Sequence, residues 1–129
     1  MIRQVSWFIA VGTAAATTHW LMVVLLVGSM HLDPLLANVG GWLVAFCVSF
    51  GGHYLLTFRH QHKVLFVALG RFFAVSATGF LINEAAYALL LSATKLPYDF
   101  LLAIVLIAVA AGTFVVSRLW AFRHTPPPT

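Results

Sequence analysis

The sequence predicts an all-α membrane protein: four transmembrane helices arranged as two helical-hairpin repeats of parallel topology, with both termini in the cytoplasm. Three observations lead there: a composition too apolar for water, four long apolar runs joined by short polar connections, and a self-similarity at a spacing of 64 residues. Of 129 residues, 62% are hydrophobic and 8% charged, with a mean hydropathy of +1.00. A soluble domain of this length would expose apolar patches far larger than soluble monomers tolerate. The length suits one transmembrane domain over residues 1–129 and leaves no room for a separate catalytic domain.

A bilayer core needs about 20 apolar residues per helix. The first run extends from about Trp7 to Gly28, the second from about Leu35 to Thr57, the third from about Val64 to Ser92 and the fourth from about Phe100 to Phe122. Ala14-Ala15-Ala16 resembles a signal-peptide cleavage site, but the apolar run continues to Val27, so a retained helix is expected. His31-Leu32-Asp33-Pro34 joins the first pair of runs, Arg59-His60-Gln61-His62-Lys63 the two pairs, and Lys95-Leu96-Pro97-Tyr98-Asp99 the second pair. The Pro-rich tail 125–129 cannot continue a helix.

The cations set the orientation. Arg3, Arg59, Lys63, Arg71, Arg118 and Arg123 fall on one side of the four-span arrangement and Lys95 alone on the other. The positive-inside rule places the six in the cytoplasm. Trp7, Trp42 and Trp120, with Tyr54 and Tyr98, are assigned to interfacial belts. Although the pI is about 9.9, the basic residues form no continuous face, so no nucleic acid partner is expected. The one cysteine, Cys47, excludes an internal disulfide and a cysteine-based metal site.

A shift of 64 positions overlays Phe8, Ala10 and Val11 on Phe72, Ala74 and Val75, and Leu55, Phe58, Arg59 and His60 on Leu119, Phe122, Arg123 and His124. Repeat 1 covers about 1–60 and repeat 2 about 65–124, each a hairpin. In such parallel repeats, substrate sites tend to form at the repeat interface. The repeat also aligns polar and small residues. Gly12, Ala15 and His19 correspond to Ser76, Gly79 and Asn83, while Ser49 and His53, which follow Gly41 and Ala45, correspond to Thr113 and Ser117. Such faces can carry a polar pathway or simply let helices approach closely.

Glu84 is the ionisable residue that most calls for a function. It lies roughly 20 Å along its helix from Arg71, in the outer half of the membrane, where ionisable groups are costly and rare. It can bind a cation, carry a proton or hydrogen-bond a sugar hydroxyl; the structural alternative is a carboxyl bonded to a neighbouring helix. His19 and Asn83 sit near its level and are expected to form a polar cluster with it. At the cytoplasmic rim stand Arg71, Arg118, Arg59 and Arg123. Arginine forks recognise phosphate, whereas plain anchoring explains most rim cations. No hydrolytic motif, metal set or cofactor motif is present, and no enzymatic activity is expected.

These features resemble the GtrA-like family of four-span bacterial membrane proteins over nearly the whole chain. Arg71-Phe72-Phe73-Ala74-Val75-Ser76 is similar to that family's Arg-Phe-x-x-Val-Gly opening, and the similarity continues through Asn83 and Leu96-Pro97-Tyr98. Ser117-Arg118-Leu119-Trp120-Ala121-Phe122-Arg123 is similar to its Asn-Arg-x-Trp-x-Phe ending, with a weaker copy at His53-Tyr54-Leu55-Leu56-Thr57-Phe58-Arg59. Leu36-Ala37-Asn38 resembles the start of the second helix. Ser117 and His53 stand where the motif has asparagine, Tyr54 where it has arginine, and Ser76 where it has glycine.

The resemblance implies translocation, or flipping, of a polyprenyl-phosphate-linked sugar across the bacterial cytoplasmic (inner) membrane for cell-surface polysaccharide synthesis. Arg118 and Arg71 then engage the lipid phosphate, with His53, Arg59 and Arg123 beside them. Glu84, Asn83, His19 and Ser117 line the head-group pathway. Membrane lipids, a glycosyltransferase and a second copy of the chain are the expected partners besides the lipid-linked sugar. Two other readings compete: a proton-coupled small multidrug exporter using Glu84, and a non-transporting anchor for a glycosyltransferase.

Overall fold

A computed structural model describes residues 2–57 and 65–121, except the side chains of residues 65, 66, 68 and 113–121. The described residues form α1 (Ile2–Met30), α2 (Pro34–Gly52), a π-helical segment (His53–Thr57) that continues α2, α3 (Leu65–Ala93) and α4 (Tyr98–Ala121). Their ends fall within two residues of the apolar runs wherever both are described, except that α1 begins at Ile2, five residues before Trp7. The stretches Ile2–Met30, Pro34–Thr57 and Leu69–Ala93 are long and apolar enough to cross a bilayer. A shorter apolar stretch, Tyr98–Gly112, continues as helix to Ala121. The chain is a multi-pass membrane protein.

The two hairpin turns are built from local chemistry. His31 takes φ 54°, the left-handed conformation that ends a helix, and the Leu32 N–H donates to the Leu26 carbonyl at 3.3 Å. Asp33 then caps α2: its carboxylate accepts from the Leu35 N–H at 2.9 Å, and Pro34 fills the first turn, where no N–H is needed. Replacing Asp33 with alanine is expected to cost about 1 kcal/mol, read as a lower unfolding temperature in detergent. In the second turn the Thr94 N–H and hydroxyl both donate to the Leu90 carbonyl, at 3.0 and 2.8 Å. The Leu101 N–H donates to the Pro97 carbonyl at 3.0 Å, and α4 starts at Tyr98.

Among the described residues each helix packs on its two neighbours in a ring, α1–α2–α3–α4–α1. The pairs Asn38–Asn83, Trp42–Ser76 and Phe50–Phe72 show that α2 and α3 are antiparallel. The best-buried apolar core is Val23, Ala37, Tyr87, Leu101, Leu102 and Val105, contributed by all four helices in the half nearer the hairpin turns. Two bonds tie the second turn to that core: Trp20 Nε1–H to the Asp99 carbonyl at 2.9 Å, and the Tyr87 hydroxyl to the Tyr98 carbonyl at 3.2 Å.

The seams differ in kind. Between α1 and α2 the backbones are brought close by glycine. A Cβ at Gly41 would lie 2.8 Å from Val23 Cγ2 and 2.9 Å from the His19 carbonyl oxygen, and one at Gly52 would lie 2.6 Å from Val11 Cγ1. The buried stripe of α1 is Val11, Ala15, His19 and Val23. Gly12, which the repeat placed on this face, is exposed and meets nothing within 4 Å. Between α2 and α3 the contact is made by aromatic rings together with hydrogen bonds from Asn38 and Trp42. Trp42 belongs to this seam: it lies well inside α2, stacked on Phe80 at 4.7 Å, and not in an interfacial belt.

Candidate functional site

A polar network crosses three helices of the bundle. His19 of α1, Asn38 of α2 and Asn83 of α3 are buried, and Glu84 of α3 is half-buried. Asn38 is the hub and is 0% exposed. Its Oδ1 accepts from His19 Nε2 at 2.6 Å, which places the ring proton on Nε2. Its Nδ2 donates one N–H to Asn83 Oδ1 and the other to Glu84 Oε2, both at 2.8 Å. The amide therefore uses its acceptor and both donors. In hydrocarbon no water competes for such groups, so a polar side chain that deep must find protein partners.

The arrangement follows from helix geometry. Asn38 sits one turn inside the α2 start that Asp33 and Pro34 fix, while Gly41 lets α1 come close enough for the His19 ring to reach it. Asn83 and Glu84 are adjacent on α3, about 100° apart around its axis. Both reach the same amide. Among the described residues no buried side-chain nitrogen or oxygen lacks a partner. The half-buried Glu84 accepts a bond at Oε2 and, among the described residues, none at its other carboxyl oxygen.

From this network an aromatic ladder runs along the α2–α3 seam. Asn38, Trp42, Phe46, Phe50 and Tyr54 follow a four-residue step on α2. Successive ring centroids are 6.3, 6.1 and 5.7 Å apart from Trp42 to Tyr54. Rings of α3 interleave: Phe80 on Trp42, Phe73 edge-on to Phe46 at 5.5 Å, and Phe72 on Phe46 and Phe50 at 5.7 Å each. Trp42 Nε1–H donates to Ser76 Oγ at 2.9 Å, which fixes the indole against α3.

At the other end of the bundle the π-helical segment sets His53 and Thr57 inward. Their side chains meet at 3.0 Å, and the His53 ring packs on Phe8 at 4.9 Å and on Phe72 at 5.8 Å. A π-turn widens a helix by one residue and is frequent at functional sites. Gln4, Val5, Phe8 and Thr57 line a cleft of about 210 Å³ beside it. Arg71 is exposed on α3. Ser117 and Arg118 are on α4, their side chains outside the described residues; Arg59 and Arg123 lie outside them altogether.

Thus the structure brings His19, Asn83 and Glu84 together. It does so through Asn38, which the sequence marked only as the start of a helix. A single asparagine within an apolar run was the available signal, since a buried amide in a membrane helix needs partners. Among the described residues no group of His, Cys, Asp and Glu is placed to hold a metal ion. A family model described as GtrA/DPMS, transmembrane domain, matches residues 7–122. No curated protein and no solved structure matches the chain.

Proposed function

Because the chain belongs to the GtrA/DPMS transmembrane-domain family, we propose that it moves a polyprenyl-phosphate-linked sugar across the bacterial cytoplasmic membrane for cell-surface polysaccharide synthesis. In this reading the hairpin turns face outward and both termini the cytoplasm, as the distribution of cations requires. The observation that carries it is the three-helix network on Asn38. It provides a carboxyl, amides and an imidazole at one level of an apolar bundle, the group types that hydrogen-bond sugar hydroxyls. The isoprenoid tail stays in the bilayer and only the head group crosses.

Each residue then has a part. Arg71 and Arg118 hold the phosphate at the cytoplasmic rim, where a guanidinium presents two parallel donors to it. Arg59, Arg123 and His53 add positive charge or hydrogen bonds on the same side. Glu84 accepts from the sugar through its second carboxyl oxygen, while Asn83, His19 and Ser117 border the route.

The test is a liposome assay with the purified chain and a short-chain polyprenyl-phosphate sugar, following its appearance in the opposite leaflet. Wild type is expected to flip the lipid. Arg118→Ala is expected to abolish flipping, and Glu84→Gln to reduce it at least tenfold, both with helix content intact. Full activity of Arg118→Ala sinks the assignment of the phosphate site. An intact wild type without flipping activity overturns the transport reading; a cation-efflux assay then separates a drug exporter from a glycosyltransferase anchor.

A further inference from the structure

A sugar bound for Glu84 must travel there from a phosphate site at the opposite end of the bundle. A lipid whose tail remains in the bilayer needs a seam that opens sideways, so that head group and tail stay joined. The α1–α2 seam is a poor candidate. At Gly41 even a methyl group would meet the His19 backbone, so those helices are in backbone contact and gain nothing from side-chain rotation. Between Trp42 and Tyr54 the α2–α3 seam is closed by rings and one hydrogen bond, from Trp42 to Ser76, and rings turn about χ1 and χ2 without moving the helix axes.

Three features of that seam coincide. It joins the two hairpins, where repeat architectures place their sites. Its rings are only partly covered, with Trp42, Phe46, Phe50, Tyr54 and Phe72 half-buried. It is also continuous with the polar network: Trp42 is one turn from Asn38 and Phe80 one turn from Glu84, so the ladder ends within one helical turn of the network. From Asn38 to Tyr54 the stripe spans about 24 Å, most of a hydrocarbon core.

Resting on the transport reading, we infer that the α2–α3 aromatic ladder is the sugar track: the pyranose passes along Tyr54, Phe50, Phe46 and Trp42 to Glu84. An aromatic face carries partial negative charge, and the C–H bonds on one face of a sugar ring carry partial positive charge. Stacking therefore holds a sugar in a dry seam without directional hydrogen bonds that would trap it at one level. Successive rings at about 6 Å offer a new platform before the previous one is left. At the end of the ladder Glu84 supplies the directional bond that stacking lacks.

Four chains reconstituted separately test this: wild type, Phe46→Leu, Phe46→Tyr and, as a control, Phe100→Leu at an exposed position on α4 away from the seam. Each is assayed with a polyprenyl-phosphate sugar and with the same polyprenyl phosphate lacking the sugar. Helix content and monodispersity in detergent are checked for every variant, and Phe50→Leu replaces Phe46→Leu if the latter fails them. The expected result is a tenfold or larger loss of sugar-lipid flipping in the leucine variant and near wild-type rates for Phe46→Tyr and Phe100→Leu. Movement of the sugar-free lipid should change less than twofold.

Equal losses for both lipids would show that the rings merely hold the seam, with bilayer chains covering it, and overturn the track. So would a leucine variant that flips the sugar lipid as wild type does. If wild type moves neither lipid, the transport reading fails and the track with it, whereas a failure confined to the ladder variants leaves that reading standing.

Discussion

Replacing Asn38 with leucine is expected to lower the stability of the bundle by about 2–3 kcal/mol and to abolish sugar-lipid flipping. The side chain is 0% exposed and serves three partners on two other helices. Interhelical hydrogen bonds in membranes average about 0.6 kcal/mol each, so three of them account for the lower part of that range. Leucine also leaves the His19 N–H and the Asn83 and Glu84 oxygens facing apolar surface, and unsatisfied polar groups add further cost. Thermal unfolding in detergent measures the stability, and the liposome assay measures the transport.

A charge-altered partner sharpens the same test. Asn38→Asp keeps size and shape but puts an oxygen where Nδ2 stood, opposite the acceptor oxygens of Asn83 and Glu84. It should be at least as harmful as leucine, because two attractions become repulsions. If instead the amide is a passive filler, Asn38→Leu will unfold at the wild-type temperature and flip normally, which excludes the hub. In a double-mutant cycle, His19→Ala should cost less in the Asn38→Leu background than alone, since its buried bond is already gone.

The spans were readable because each depends on one-dimensional information. Pro34 after Asp33 is a helix start wherever it occurs, and the α2 helix begins there. Apolar runs bounded by Asp33, Lys95 and the cationic connection gave the remaining ends. The buried face of α1 was less legible. Gly12, Thr13, Ala14, Ala15 and Ala16 are all small, so neighbouring faces looked alike, and the true stripe runs through Val11, about 100° away from Gly12. What decides between them is Gly52, into which Val11 packs, and that is a contact on another helix.

The site was legible in its members and not in its connectivity. His19, Asn83 and Glu84 stand out because polar residues in apolar runs are rare. Asn38 was obscured by the repeat itself, since the 64-residue shift places it on Leu102, an apolar core residue that is also 0% exposed. The network is therefore asymmetric between the hairpins, and a symmetric reading of the polar residues cannot find its hub. The aromatic ladder escaped for a different reason. Phe and Trp at a four-residue step occur on many lipid-facing helices, and only the interleaving of Phe72, Phe73 and Phe80 from α3 makes a seam of them. Nor does His53-Tyr54-Leu55-Leu56-Thr57 announce a π-helix, since its apolar pattern suits an α-helix equally well.

Gly41→Ala is expected to destabilise the protein by about 1–3 kcal/mol, the usual range for overpacking, while Gly12→Ala leaves it unchanged or stabilises it by up to about 1 kcal/mol. Both exchanges add one methyl group to a transmembrane helix, so propensity alone predicts the same favourable sign for each. The surroundings separate them. The new Cβ at position 12 meets nothing within 4 Å, whereas at position 41 it falls 2.8 Å from Val23 Cγ2, 2.9 Å from His19 Cδ2 and 2.9 Å from the His19 carbonyl oxygen. Val23 can rotate away only into a core where it is 0% exposed, and the carbonyl belongs to the α1 backbone and cannot rotate at all. Relief requires α1 and α2 to separate, which draws His19 from Asn38 and lengthens their 2.6 Å bond. Gly41→Ala should therefore depress flipping as well as the unfolding temperature, although residue 41 touches neither lipid nor sugar. Equal unfolding temperatures for the two alanine variants would show that the α1–α2 seam is looser than its glycine contacts imply, and would remove the main reason for assigning the moving seam to α2 and α3.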